Sequence, residues 1–253
     1  MLFFSFDIFL YIAIVYYINW EKNIMKVLGI GAHPDDIEIF MYGLLFIYKK
    51  EGHEVYTMIA TDGAKGGVAE GKKLAEKRAN EAISGLKNLS SPVFLNLPDG
   101  ELGSELEHRK IIKENILKIM PDLIITHSEN DYHADHKTLS LITKAAVSHY
   151  IPILYCDTLM GINFNPNYYV DITDYYELKK EAILKHKTQN PDRFVDLFEL
   201  MNSYRAAQCN APKGSYAEAY SFISSFPFSD IREILPLAMK LRPFHIENQY
   251  GFL

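Results

Sequence analysis

One imidazole and two adjacent carboxylates stand within four residues in the run Gly31-Ala32-His33-Pro34-Asp35-Asp36-Ile37-Glu38. Pro34 fixes its own φ and pushes His33 out of the helical region, so these groups are forced together. A bound cation relieves their mutual repulsion. A second run, Asp131-Tyr132-His133-Ala134-Asp135-His136, carries the same residue types about a hundred positions later. Two histidines, one carboxylate and room for a water describe a catalytic zinc site. The candidate ligands are His33, Asp36 and His136. Asp35 is then free beside the ion to act as a base, with His133 on the other side. Each group has a plainer use alone: an aspartate after a strand caps helices, and a single histidine serves many purposes. Two such clusters at two strand ends are hard to explain as caps.

The elements that must position these residues are legible as apolar, β-rich runs at Lys26–Gly31, Glu54–Ala60, Val93–Leu97, Leu123–Thr126 and Ile153–Tyr155. Helical patterns lie between them, at Glu38–Lys50, Gly71–Leu89, Ser104–Met120 and Asp135–His149. Such alternation implies an α/β fold, a Rossmann-like and mostly parallel sheet with helices on both faces. Right-handed crossovers put the strand ends on one edge, where the His33, Thr61, Asp99 and His133 loops meet in one crevice. The chain has no GxGxxG or P-loop spacing, so dinucleotide binding is not expected. Beyond Tyr175 it reads as two helices, Glu177–Lys187 and Pro191–Ala207, followed by a tail rich in aromatics (Tyr216, Tyr220, Phe222, Phe226, Phe228) that suit a core or an interface.

The pattern His33-Pro34-Asp35-Asp36-x-Glu38, taken with His133-x-Asp135-His136, resembles the PIG-L/LmbE-type family of zinc-dependent N-acetylglucosamine deacetylases. The likeness runs from about Met25 to about Tyr220. It includes Thr61-Asp62-Gly63, Arg78-Ala79-Asn80-Glu81-Ala82 and Leu97-Pro98-Asp99-Gly100, then Tyr169-Val170-Asp171-Ile172-Thr173, His186-Lys187-Thr188-Gln189, Tyr204-Arg205 and Ala217-Glu218-Ala219. The resemblance implies a Rossmann-like fold, zinc held by His33, Asp36 and His136, Asp35 as base, and Arg78 and Asp99 contributing to the sugar site. Many relatives carry an Arg and a Glu in the loop after the second strand, where this chain has Asp62 and Ala64. That departure touches specificity and leaves the metal ligands unchanged.

Hydrolysis of an amide needs an activated water, a stabilised oxyanion and a proton for the amine. Zinc lowers the pKa of bound water to about 7 and polarises a carbonyl. Asp35 can take the water proton, and His133 can stabilise the oxyanion or protonate the leaving nitrogen. Asp135 is read either as a partner that keeps His133 protonated or as the N-cap of the following helix. Asp99 can accept from sugar hydroxyls or be a plain turn residue, since Pro-Asp-Gly is a strong turn signal. Arg78 can hold a substrate hydroxyl or phosphate, or pair with Glu81 or Glu105. The same ligand types suit Fe²⁺, and the two-histidine, one-carboxylate set also occurs in non-haem oxygenases, although a free carboxylate beside the ion favours hydrolysis. Two rivals remain: a metal-dependent amidase acting on another N-acyl substrate, and a non-catalytic binding protein on the same fold.

At 253 residues, 48% hydrophobic and 23% charged, the chain suits a globular domain over residues 25–253. Its net charge of −6 argues against nucleic-acid binding. The expected partner is a small amino-sugar conjugate, with homo-oligomerisation left open. Cys156 and Cys209 form no metal spacing and are read as reduced thiols of a cytoplasmic protein. Residues 1–24 differ from the rest. The unbroken apolar stretch Ile8 to Ile18 is shorter than the roughly 20 residues of a spanning helix, and the segment lacks the basic start and cleavage site of a secretory signal. It is read as a non-native upstream extension, a weak membrane anchor that would make the protein membrane-associated, or a helix packed on the domain.

Overall fold

In the computed structural model, residues 24–67, 71–147 and 149–239 are described; the apolar segment up to residue 23 lies outside them. β1 (Lys26–Gly31) is buried on both faces, with Val27 packing to one side and Leu28 and Ile30 to the other. β2 (Glu54–Thr61), β4 (Leu123–Thr126) and β5 (Ile153–Cys156) follow the same logic, whereas β3 (Val93–Leu97) is the edge strand and buries only Leu97 fully. A strand covered on both faces reads as a continuous apolar run, and parallel sheets require that cover. These five strands are all parallel, in the order β3-β2-β1-β4-β5.

Helices form a layer on each face. On one side lie α1 (Asp36–Phe40), α2 (Tyr42–Lys50) and α3 (Lys72–Gly85). On the other lie α4 (Leu106–Ile119) and α5 (Ala134–Val147), which bury Ile112, Ile116, Leu139 and Ile142 against Leu28, Ile30 and Ile124. The chain leaves β1 towards β2 and leaves β4 towards β5. The loops after β1 and β4 therefore diverge, and the gap between them is the switch point where open α/β sheets bind ligands.

The carboxyl-terminal half departs from the sequence reading. Besides α6 (Tyr176–Ile183) and α7 (Pro191–Gln208), it contributes β6 (Tyr168–Asp171) and β7 (Ala217–Phe222). β7 is antiparallel to both β5 and β6, which completes a seven-stranded sheet. Neither strand is marked by alternation, and β7 carries Glu218 at its buried centre. Glu218 also explains why the helix expected over Glu38–Lys50 is two helices. Its two carboxylate oxygens accept from the N–H groups of Gly43 and Leu44, each at 2.9 Å. A carboxylate from another element thus satisfies the opening donors of α2, and the chain breaks at Met41 to expose them. Among the described residues no helix is long and apolar enough to cross a membrane. Both cysteines are free.

Candidate active site

The loop between β1 and α1 is tight. A Cβ at Gly31 would lie 2.9 Å from Asp36 Cβ, so only glycine lets α1 fold back against the strand end. Asp35 takes φ 144°, a conformation that costs an L residue about 1–3 kcal/mol and that the surroundings must enforce. Asp36 opens α1, and its Oδ2 accepts from the His33 N–H at 2.7 Å. This bond locks the imidazole and carboxylate of one loop onto the same side.

The loop after β4 meets them. His136 Nε2 lies 3.3 Å from His33 Nδ1 and 3.3 Å from Asp36 Oδ1, and His33 Nδ1 lies 3.3 Å from Asp36 Oδ2. Bonds of about 2.0–2.2 Å to a tetrahedral ion place ligand atoms about 3.3–3.6 Å apart; the edge between His33 and His136 has that length, and Asp36 meets the two rings at the same distance through different oxygens. The outer nitrogens are already taken. His33 Nε2 is 3.3 Å from Asp135 Oδ2 and 3.3 Å from Asp99 Oδ1, and His136 Nδ1 is 3.0 Å from Asp131 Oδ2. Carboxylates there favour ring protons on the outer nitrogens and leave the inner nitrogens facing each other, the way metal-ligating histidines are commonly held. A proton on each inner nitrogen would face the other across 3.3 Å. A divalent cation satisfies all three donors at once, so the residues present fit the group.

The same groups shift one another's titration, so a cation bound between the rings would take the place of ring protons. Burial alone raises a carboxylate's pKa, yet the surrounding His136, His127 and His33 hold Asp36 well below the usual range. Burial lowers His136, but Asp36 and Asp131 outweigh it and push the ring up to about 9. Asp99 is drawn down to about 2 despite burial, by hydrogen bonds from His33 and from the Lys65 N–H. Asp35 moves the other way: burial raises it, with Arg78 opposing. A carboxylate made more basic beside a cation site suits proton abstraction.

Seven of the eight residues singled out in the sequence line one cleft of about 390 Å³: His33, Asp35, Asp36, Arg78, Asp99, His133 and His136. Three expected contacts are corrected. Asp135 does not touch His133; it accepts from the N–H groups of Gly100 and Leu102 and reaches His33. It is therefore neither the partner of His133 nor a helix cap. Its place one residue inside α5 turns it away from His133, because side chains two apart near a helix start do not face each other. Arg78 pairs with neither Glu81 nor Glu105. It is buried and donates to Asp35 Oδ2 at 3.2 Å and to the carbonyls of Gly63 and Pro34. His133 is not held protonated. Burial and the neighbouring His136 and His33 lower its pKa, and its ring meets no hydrogen-bond acceptor among the described residues.

Two contributing residues were not singled out as site residues. Asp131 opens the second cluster five positions before His136, a spacing that could have marked it. His127 directly follows β4 and approaches Asp36 Oδ2 at 3.0 Å; burial and His136 lower it to about 4, so it is a neutral partner. The arrangement can bind a divalent cation, accept a proton at Asp35 and offer a neutral imidazole N–H at His133.

Comparison with known proteins identifies relatives of the chain. Residues 28–147 match the family model described as PIG-L, GlcNAc-PI de-N-acetylase. A diacetylchitobiose deacetylase of Thermococcus kodakarensis is 30% identical over 208 residues, spanning 72% of this chain and 76% of the relative. In three dimensions, the N,N'-diacetylchitobiose deacetylase of Pyrococcus horikoshii superposes with a TM-score of 0.70 at 24% identity, covering 87% of this chain and 93% of that one. The 4-carboxy-2-hydroxymuconate hydratase GalB of Pseudomonas putida gives 0.71 at 16% identity, covering 82% and 100%. One fold thus carries two chemistries, and the site must decide between them.

Proposed function

The chain belongs to the PIG-L family of de-N-acetylases, and from that premise we propose that it hydrolyses the N-acetyl group of an N-acetylglucosamine-type sugar conjugate, releasing acetate and a free amine. The observation that carries this reading is the convergence of His33, Asp36 and His136 on one point, with the Asp35 carboxylate beside it. These three residues would hold a divalent ion, with zinc suited to the donor set and Fe²⁺ also compatible. When bound, the ion lowers the pKa of water and polarises the amide carbonyl.

The remaining work falls to the chain. Asp35, held by Arg78, takes the proton of the attacking water as its oxygen bonds to the acyl carbon. His133, neutral because its pKa is lowered, donates an N–H to the developing oxyanion. When the C–N bond breaks, the proton on Asp35 passes to the amine. Asp135 and Asp131 are positioning residues that hold the His33 and His136 rings in register. Asp99 and the region around Arg78 meet the sugar. A hydratase reading is disfavoured by charge. Carboxylates of Asp35, Asp36, Asp99 and Asp131 surround this cleft, and its arginine is engaged by Asp35, so a polyanionic acid would be repelled.

Acetate release from a panel of N-acetylglucosamine conjugates and sugar-free N-acyl amines tests the reading. Release from the sugars, abolished by chelation and restored by Zn²⁺, is the expected result. Release only from the sugar-free amides would make the protein a different amidase. No release from any of them by metal-loaded protein would leave a binding protein.

A further inference from the structure

The turn Lys187–Gln189 is anchored more firmly than a surface connection needs. On its amino-terminal side His186 is buried, and its Nε2 meets the fully buried Glu38 at 2.8 Å. Within it, Thr188 donates twice to Glu81, by its N–H at 3.0 Å and by its hydroxyl at 2.6 Å. After it, Asn190 takes φ 51° and Pro191 starts α7, so the chain turns sharply away. Two carboxylates, Glu38 on α1 two residues after Asp36 and Glu81 on α3 about a turn from Arg78, thus fix this short segment to the elements that build the site. The side chain so presented is Gln189, which lines the same cleft as His33, Asp35, Arg78 and Asp99.

Its amide is only partly used. Gln189 Nε2 donates once, to Thr188 Oγ1 at 3.2 Å, and Oε1 has no hydrogen-bond partner among the described residues. A primary amide carries two donor hydrogens and one acceptor oxygen, so a donor and the acceptor remain side by side. The amide lies beside Gly66, where a Cβ would collide with the Arg78 guanidinium and stand 3.6 Å from Gln189 Oε1. Backbone of the glycine-rich loop therefore makes space for both side chains at this wall. A planar donor–acceptor pair on a rigid turn, half-exposed at the cleft wall, complements hydroxyl groups on a polyhydroxylated ring, each of which both gives and takes a hydrogen bond.

We propose that Gln189 is a specificity-determining residue that contacts ring hydroxyls of the sugar, and that the His186–Glu38 and Thr188–Glu81 contacts exist to hold its amide in place. The inference rests on the deacetylase reading and deepens it by giving the polyol selectivity to one side chain.

The test compares wild type with Gln189→Ala and Gln189→Met, the latter keeping most of the volume without the amide. The two probes are the methyl glycoside of N-acetylglucosamine and N-cyclohexylacetamide, which has the ring and the acetamide but no hydroxyls; the latter is followed as a substrate or as a competitive inhibitor. Loss of one or two hydrogen bonds made equally in the bound and transition states should raise KM for the sugar about tenfold in both variants with kcat nearly unchanged. The constant for the hydroxyl-free probe should stay at the wild-type value. Equal changes for both probes, a change confined to kcat, or no change would overturn the proposal. If wild type releases acetate from neither sugar nor amide, the deacetylase reading itself fails, an outcome distinct from all of these.

Discussion

The buried charge clusters around Glu218 and around Asp36 are built on opposite principles. Around Glu218, four donors are gathered onto one carboxylate: the N–H groups of Gly43 and Leu44 at 2.9 Å, Lys179 Nζ at 2.7 Å and the Tyr220 hydroxyl at 2.6 Å. One negative charge meets one positive charge, and the remaining lone pairs are filled by neutral donors. Around Asp36, two imidazoles and a carboxylate point their unshared electrons at each other from 3.3 Å, with further carboxylates behind the rings. The first cluster is closed by the protein itself. The second has the donor types that one shared cation would close. Burial and charge are common to both, so neither property marks the site; convergence of two ring nitrogens and a carboxylate on one another does.

Substitutions can break this contrast from either side. The largest effect is expected at Asp35. Asp35→Asn keeps the shape, the ligands and the Arg78 contact but cannot take a proton, so turnover should fall about 10³-fold. Metal content and unfolding midpoint should stay near wild type, and retention of full turnover would remove Asp35 as base. In the closed cluster the outcome should be reversed. Glu218→Ala leaves the Lys179 charge buried without its partner and strips the start of α2 of its acceptor, which should cost about 3–5 kcal/mol in denaturant unfolding. The folded fraction should still bind metal at the same stoichiometry; a neutral effect on stability would show the cluster to be dispensable.

Smaller changes sharpen the comparison. Asp131→Asn should weaken metal affinity about 10–100-fold in a competition titration by loosening His136, with little loss of fold stability. Unchanged affinity would deny Asp131 its orienting role. The smallest effect concerns His186. Burial lowers its pKa, but the Glu38 charge outweighs this and the net shift is upward. A raised folded-state value means the pair stabilises fully below the unfolded value of about 6.5, and this contribution is lost as pH rises through the folded value. Wild type should therefore exceed His186→Gln in stability by about 1 kcal/mol at mildly acidic pH, with the gap narrowing as pH rises past the unfolded value. A gap that widens with pH would reverse the assignment.

The parallel half of the sheet was legible because its central strands are covered on both faces and read as apolar runs, with a helical period following each. The residues of the cleft were legible because Pro34 and the spacing of His133, Asp135 and His136 are local features. What stayed hidden was decided across distance. β7 carries a glutamate and two alanines, and Glu218 is tolerated at its buried position because Lys179, Tyr220 and the start of α2 satisfy it. Asp135 stands two residues from His133 in sequence, yet the first turn of α5 aims it at His33, 102 positions away. Arg78 had acidic neighbours on its own helix and chose Asp35 and two carbonyls instead. Sequence neighbours suggest partners; helix geometry and the crossing of loops assign them.

The central claim is that the loops after β1 and β4 share one divalent ion. Metal analysis of the purified protein, paired with His136→Ala and read alongside acetate release, tests it most directly. The expected result is one divalent ion per wild-type chain, none in the variant, and activity that disappears on chelation and returns with Zn²⁺. Full acetate release from chelated, metal-free protein, or an ion retained at the same affinity without His136, would contradict it.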